Sequence, residues 1–222
     1  MIRQQFTTEY GEIAVSFAGR TDDVAGPFED FYVQLMANNR ELRALGYLEQ
    51  VHGDGVVSFA EATGIRQMGQ GDALITQAAG HALVIRTADC IPILFYSLTQ
   101  PCVAAVHAGW RGLKKSILSR AVERAGRVGE LRFVVGPFIG EKSYEVGLDV
   151  SGQFAPEHSV SGANGKAMLN LRSALAAEMK SLGIADDQVT WHARDTLTDL
   201  AWYSARRGDQ RRNFSWISFS AR

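Results

Sequence analysis

His52, Cys90 and His107 are the residues of this chain best equipped for chemistry. They stand in the segments Gln50-Val51-His52-Gly53, Thr87-Ala88-Asp89-Cys90 and Val106-His107-Ala108-Gly109-Trp110-Arg111-Gly112. Each segment is expected to join a strand to a Gly-rich or polar turn, which fixes the backbone and leaves the side chain accessible. Two imidazoles and a thiolate suit zinc and leave the fourth tetrahedral position open for catalysis. Their intervals are far from zinc-finger spacing, so the fold must bring them together. The same residues support a metal-free alternative, in which His52 or His107 deprotonates Cys90 to give a nucleophile for acyl transfer or deamidation. Sequence leaves both open.

Other candidates surround these three. Asp72 and Asp89 could transfer protons, orient a histidine or form turns. Arg111 follows His107 closely enough to project into the same cavity, where its guanidinium would hold a phosphate or carboxylate, a surface ion pair being the alternative. Cys102 is expected to pack as a small hydrophobe, and His81, His158 and His192 to be structural or exposed. The arginines Arg206, Arg207, Arg211, Arg212 and Arg222 cluster near the end and read as a solvated surface.

Positioning these residues requires a strand-rich centre. Apolar runs at 55–59, 73–75, 82–85, 91–96 and 103–106, separated by Gly, Asp or Pro, predict closely spaced strands. Alternation over 12–17 predicts an opening strand, and 131–135, 189–192 and 214–219 read as further strands. Helical spacing predicts helices over 28–45, 114–125 and 171–182, with Gly46, Gly126 and Gly183 as stops. The alternation suits a mixed sheet with covering helices.

Composition bounds the class. The chain has 222 residues, 46% hydrophobic and 21% charged, as an ordinary globular protein would. A formal charge of -1 supplies no global field for nucleic acid or an anionic membrane, so an anion site must be local. Two cysteines are too few for a secreted disulfide scaffold. The first residues lack a signal-peptide run and no stretch reaches a membrane span, so a cytoplasmic protein is expected, with neither nucleic acid nor membrane as partner.

At the three reactive segments the sequence resembles the bacterial YfiH-like family. Its members have been labelled multicopper polyphenol oxidases or laccase-domain proteins, purine nucleoside phosphorylases and peptidoglycan editing factors. The motifs Gln50-Val51-His52-Gly53, Gly71-Asp72-Ala73-Leu74, Thr87-Ala88-Asp89-Cys90, His107 to Gly112, Gly136-Pro137 and Tyr144-Glu145-Val146-Gly147 follow the family's order, with a weaker echo at Tyr203-Ser204-Ala205-Arg206-Arg207. The resemblance implies that His52, Cys90 and His107 bind zinc. It also implies a single α+β domain over 1–222, a layered α/β/β/α sandwich with mixed β-sheets, similar to cysteine hydrolases of the cytotoxic-necrotizing-factor type.

The chain departs from the family at several points. Arg20 matches an amino-terminal Arg near the family's pocket, but Asp22 and Asp23 replace the glycines beside it. Phe138 and Ser143 occupy a segment that is often Cys-rich, and Asp195-Thr196 a Cys-Thr position. Neither loss touches the implied zinc ligands.

The resemblance implies phosphorolysis of adenosine, inosine or methylthioadenosine to base and sugar 1-phosphate, with adenosine deamination as a companion. Cys90, His107, Asp89 and Asp72 would be its catalytic groups, and Arg111 and Arg20 would position phosphate or nucleoside. The competing enzyme reading is a Cys-His hydrolase editing peptidoglycan precursors. A third reading is a metabolite-binding protein without turnover. A full multicopper oxidase needs several more histidines than the five present, so copper ranks below zinc. Sequence does not give the oligomeric state.

Overall fold

The computed structural model describes residues 1–22 and 28–221. Asp23 and Arg222, both considered above, lie outside the described residues. Two six-stranded mixed sheets lie face to face. The first runs in spatial order Ile2–Thr7, Gly11–Ala18, Asn213–Ala221, His81–Thr87, Ala44–Glu49, Gly64–Gln70. The second runs Val189–Trp191, Leu131–Val135, Ile91–Ser97, Val103–Ala108, Ala73–Thr76, Val56–Ser58.

Alternation explains the layers, because successive side chains of a strand point to opposite faces. Ile13, Val15, Phe17, Leu83, Ile85 and Ile217 of the first sheet meet Leu74, Leu94, Val103, Ala105 and Val134 of the second in one core cluster. The other face of the second sheet, with Ile93, Phe95, Val106, Phe133 and Val135, packs on Leu113, Ile117 and Leu118 and on Leu175 and Met179 of the helix Leu171–Ser181. The other face of the first, with Ala82, Val84, Phe214 and Trp216, packs on Phe31, Tyr32 and Leu35 of the helix Phe28–Asn38. The result is the layered helix, sheet, sheet, helix sandwich that the resemblance implies. Because both faces of Ile91–Ser97 and Val103–Ala108 are covered, these strands are buried at every position and read as continuous apolar runs.

Several elements differ from the sequence-based expectations. The first helix stops at Asn38, where the Asn39 side-chain amide donates to the Leu35 carbonyl at 2.6 Å, and Ala44–Glu49 is a strand. The periodicity through Leu42 and Leu45 therefore merges a helix with a strand. The expected helix over 114–125 is two helices, Trp110–Lys114 and Ile117–Glu123, parted by Ser116 at φ 58. The strand Gly64–Gln70 escapes prediction because it is an edge strand with little buried surface. A third sheet of three short strands, Glu145–Gly147, Lys166–Leu169 and Ser159–Ser161, is likewise additional. No helix among the described residues is long and apolar enough to cross a membrane.

Candidate metal centre

The fold brings His52, Cys90 and His107 together, with one ligand atom from each lying within 4.8 Å of the others. Cys90 immediately precedes Ile91–Ser97, and His107 stands on the neighbouring antiparallel strand opposite Pro92. His52 arrives from the first sheet, three residues beyond Ala44–Glu49. The rings of His52 and His107 meet edge-on with centroids 4.8 Å apart. His107 is buried, Cys90 half-buried and His52 exposed, so the cluster sits where core meets surface.

Backbone geometry at two of the three segments is unusual. His52 and Asp89 both adopt positive φ, 57° and 82°. Non-glycine residues hold such conformations only when surrounding contacts over-determine them. For His52 the contacts come from Asp72, whose Oδ1 accepts its backbone N–H at 3.0 Å while Oδ2 accepts that of Gly53 at 2.6 Å. For Asp89 they come from Thr196 Oγ1 and the Arg206 N–H, each donating to the carboxylate at 2.7 Å. Gly109 completes the close packing: a Cβ there would stand 2.9 Å from Cys90 Sγ and 3.4 Å from His52 Cδ2.

Asp72 also accepts from His107, with 2.8 Å between Oδ1 and Nδ1. This bond commits Nδ1 and leaves Nε2 as the free nitrogen, the arrangement by which a carboxylate fixes the tautomer of a metal-binding imidazole. Burial opposes ionisation of the Cys90 thiol, but the charge and hydrogen bonding of His107, and then of His52, outweigh it and bring the thiol down to about 6. Burial likewise disfavours the His107 imidazolium, yet Cys90 and Asp72 raise it to about 9. Burial tends to raise Asp72, and its bonds to His107, Gly53 and His52 hold it below the usual carboxylate range. The donor set, two imidazoles and a readily ionised thiol aimed at one point, fits zinc.

A cavity of about 310 Å³ opens at the cluster, lined by the three residues together with Gln50, Arg86, Ala88, Ala205 and Arg212. That volume lies near the lower end of small-molecule sites. Gln50 ties the His52 segment to the next strand, because its side-chain amide accepts the Arg86 N–H at 2.8 Å and donates to the Arg86 carbonyl at 2.7 Å.

The remaining sequence candidates are not among the residues that line the cavity. Arg111 is exposed, its guanidinium 4.3 Å from the centroid of the Trp110 ring, and it is not among the lining residues. Arg20 pairs with Asp209 at 2.6 Å and lies over the Tyr203 ring, also outside the lining. Asp72 and Asp89 are buried, and both oxygens of each already accept hydrogen bonds. Cys102 is a buried free thiol, raised to about 11 by burial. His81 bonds to Ala62 and Ala79, and His158 to Ser173, away from the cluster. The Ser143 hydroxyl donates to the Asp195 carboxylate.

Sequence reasoning missed Arg86 and Arg212 as lining residues. Alternation along His81–Thr87 held a signal for Arg86, two residues before Ala88 on the approach to Cys90. Arg212 belonged to the cluster read as solvated surface. Tyr144, in a quoted motif but without a role, is near enough to Cys90 and Asp89 for their charges to add to burial in raising its phenol to about 12, and Arg206 lies over its ring.

Known proteins similar to this chain are consistent with one another. A Deinococcus radiodurans protein called purine nucleoside phosphorylase is 34% identical over 91% of this chain and 82% of its own. A Clostridium acetobutylicum protein of the same name is 26% identical over 79% and 77%. Among solved structures, the YfiH protein of Bacillus licheniformis superposes with TM-score 0.81 at 19% identity, covering 94% of this chain and 93% of its own. A Neisseria meningitidis DUF152 protein gives 0.76 at 23%, covering 99% of each. Residues 14–219 match the family described as multi-copper polyphenol oxidoreductase laccase, and the chain therefore belongs to that family, the YfiH/DUF152 group.

Proposed function

We propose that this protein is a zinc-dependent purine nucleoside enzyme that phosphorolyses adenosine, inosine and methylthioadenosine to base and sugar 1-phosphate, with adenosine deamination as a second activity. The observation that carries the reading is the convergence of His52, Cys90 and His107 on one cavity. The relatives named purine nucleoside phosphorylase supply the substrate class. His52, Cys90 and His107 would hold the zinc, which when bound supplies Lewis-acid activation at its open position.

The chain's own groups account for orientation. Asp72 fixes the His107 ring through Nδ1 and the His52 turn through its N–H, keeping both imidazoles aimed at the cavity. Asp89 acts as a positioning residue, because its carboxylate is fully engaged with Thr196 and Arg206 and touches no cavity group. It anchors the 203–212 segment, which carries Ala205 and Arg212 to the cavity wall.

A second reading has its own support. Asp72, His107 and Cys90 form an acid, imidazole and thiol sequence with the thiol shifted towards thiolate, the pattern of a Cys-His nucleophilic site. Under it, the chain would hydrolyse an acyl or amide bond, as in editing a peptidoglycan precursor. Copper-dependent phenol oxidation ranks below both, since only two of the five histidines reach the site.

The test is the metal content of protein purified without added metal, with chromatographic assay of inosine plus phosphate and of adenosine, for the native chain and Cys90→Ala. Stoichiometric zinc, with base release or deamination that a chelator and Cys90→Ala both abolish, is expected. Metal-free protein without nucleoside turnover, trapped at Cys90 by an acylating probe, would transfer the assignment to the hydrolase.

A further inference from the structure

We propose that Arg86 and Arg212 form an anion subsite in the Cys90 cavity that takes inorganic phosphate as co-substrate, an inference that rests on the phosphorolytic reading above. Arg86 and Arg212 both line the cavity that Cys90, His52 and His107 reach, and among the described residues no carboxylate lines it. Among the described residues neither has a carboxylate partner. Other arginines of the chain do: Arg20 and Arg207 pair with Asp209, and Arg120 with Asp54. The nearest buried acids, Asp72 and Asp89, have both oxygens engaged with other donors. Two unbalanced positive charges on one concave wall create a local demand for an anion in a chain whose net charge is only -1.

Both side chains are held in place by neutral groups, which order them without neutralising them. The Arg86 guanidinium lies 4.3 Å from the centroid of the Phe28 ring, and Gln50 engages both its backbone N–H and its carbonyl. Stacking occupies the face of a guanidinium and leaves its N–H edge for a ligand. One terminal nitrogen of Arg212 donates to the carbonyls of Asp209, Gln210 and Arg211 at 2.9–3.2 Å, and its remaining N–H groups are available. Pre-ordered donors of this kind lower the entropic cost of binding. Planar guanidinium forks match phosphate oxygens bidentately.

The chemistry balances. An oxygen of hydrogen phosphate bonds to C1′ of the ribose as the C1′–N9 bond breaks. The bonding pair of C1′–N9 goes to the purine, and the proton brought by hydrogen phosphate leaves with the base. The products are free purine and ribose 1-phosphate. Arg86 and Arg212 hold the phosphate on the cavity wall while positive charge develops on the ribose.

Arg86→Gln, Arg212→Gln and the milder Arg86→Lys test the assignment by two readouts. In hypoxanthine release from inosine, each Gln variant is expected to raise the phosphate KM roughly 10- to 100-fold, with the inosine KM changing several-fold less. Arg86→Lys keeps the charge and loses the fork, so its phosphate KM should fall between. Phosphorus NMR of inorganic phosphate titrated with each protein, without nucleoside, should show line broadening for the native chain and its loss in both Gln variants. Native phosphate KM and native broadening in both variants, or no broadening by the native chain, would overturn the subsite. Broadening lost in folded variants of a chain that turns over no nucleoside would uphold the subsite and defeat the phosphorolytic reading instead.

Discussion

Asp72 Oδ1 lies 2.8 Å from His107 Nδ1, with the acid wholly buried and the imidazole nearly so. The same carboxylate holds the backbone of His52 and Gly53, so one buried anion sets two of the three candidate ligands.

Asp72→Asn removes that charge and exchanges one acceptor for a donor, which cannot satisfy all three N–H groups at once. Zinc affinity is expected to fall about 10- to 100-fold, measured by competition with a chromophoric chelator. Unchanged affinity in a folded variant would show that Asp72 does not orient the imidazole.

Gly109→Ala should injure the site more than the fold. The residue has φ -78, which alanine adopts readily, so the cost is the contact of the new methyl with Cys90 Sγ and His52 Cδ2. We expect a melting temperature lowered by only a few degrees and bound zinc well below one per chain. Full zinc content and activity would mean that Cys90 and His52 can retreat.

Thr196→Val deletes the hydroxyl that donates to Asp89 at 2.7 Å while keeping the shape of a fully buried side chain. Hydrogen bonds to charged groups contribute about 1.5–3 kcal/mol, and urea unfolding should show a loss of that size. A change under about 0.5 kcal/mol would remove Asp89 from the account of how the 203–212 segment is anchored.

Asp209 links pH to stability. The Ser204 N–H, then Arg20 and Arg207, outweigh its partial burial and bring its carboxyl down to about 2, below the ordinary 3.8. Its folded-state value is the lower one, so its contribution is present above about pH 4 and is lost as pH falls through 2. Asp209→Asn should therefore lower the urea midpoint at pH 5–7, with the two curves converging towards pH 2. Parallel curves across that range would contradict the assignment.

The second sheet was legible because its central strands are covered on both faces and appear as unbroken apolar runs. The three reactive segments were legible because each sets a His or Cys beside small residues that close packing requires, Gly109 beside Cys90 and His52 being the clearest case, whereas zinc binding by them was implied by the family resemblance alone. What could not be read depends on contacts distant in sequence. Nothing local distinguishes Arg212, at the cavity, from Arg207, paired with Asp209. Likewise Leu45 continues a helical periodicity but sits in a strand, since the break at Asn39 is made by one side-chain amide.

The amide of Gln50 acts as a splice in the first sheet. The backbone ladder between Ala44–Glu49 and His81–Thr87 ends at the pair Tyr47 and Val84, before the chain kinks at His52. Beyond that pair the side chain supplies the two hydrogen bonds that another ladder residue would have made to Arg86. Sliding the His52 turn against the strand that leads to Cys90 must break both bonds together. The spacing of the candidate ligand atoms is therefore inherited from the stiffness of the sheet, although one of them rides on an exposed turn.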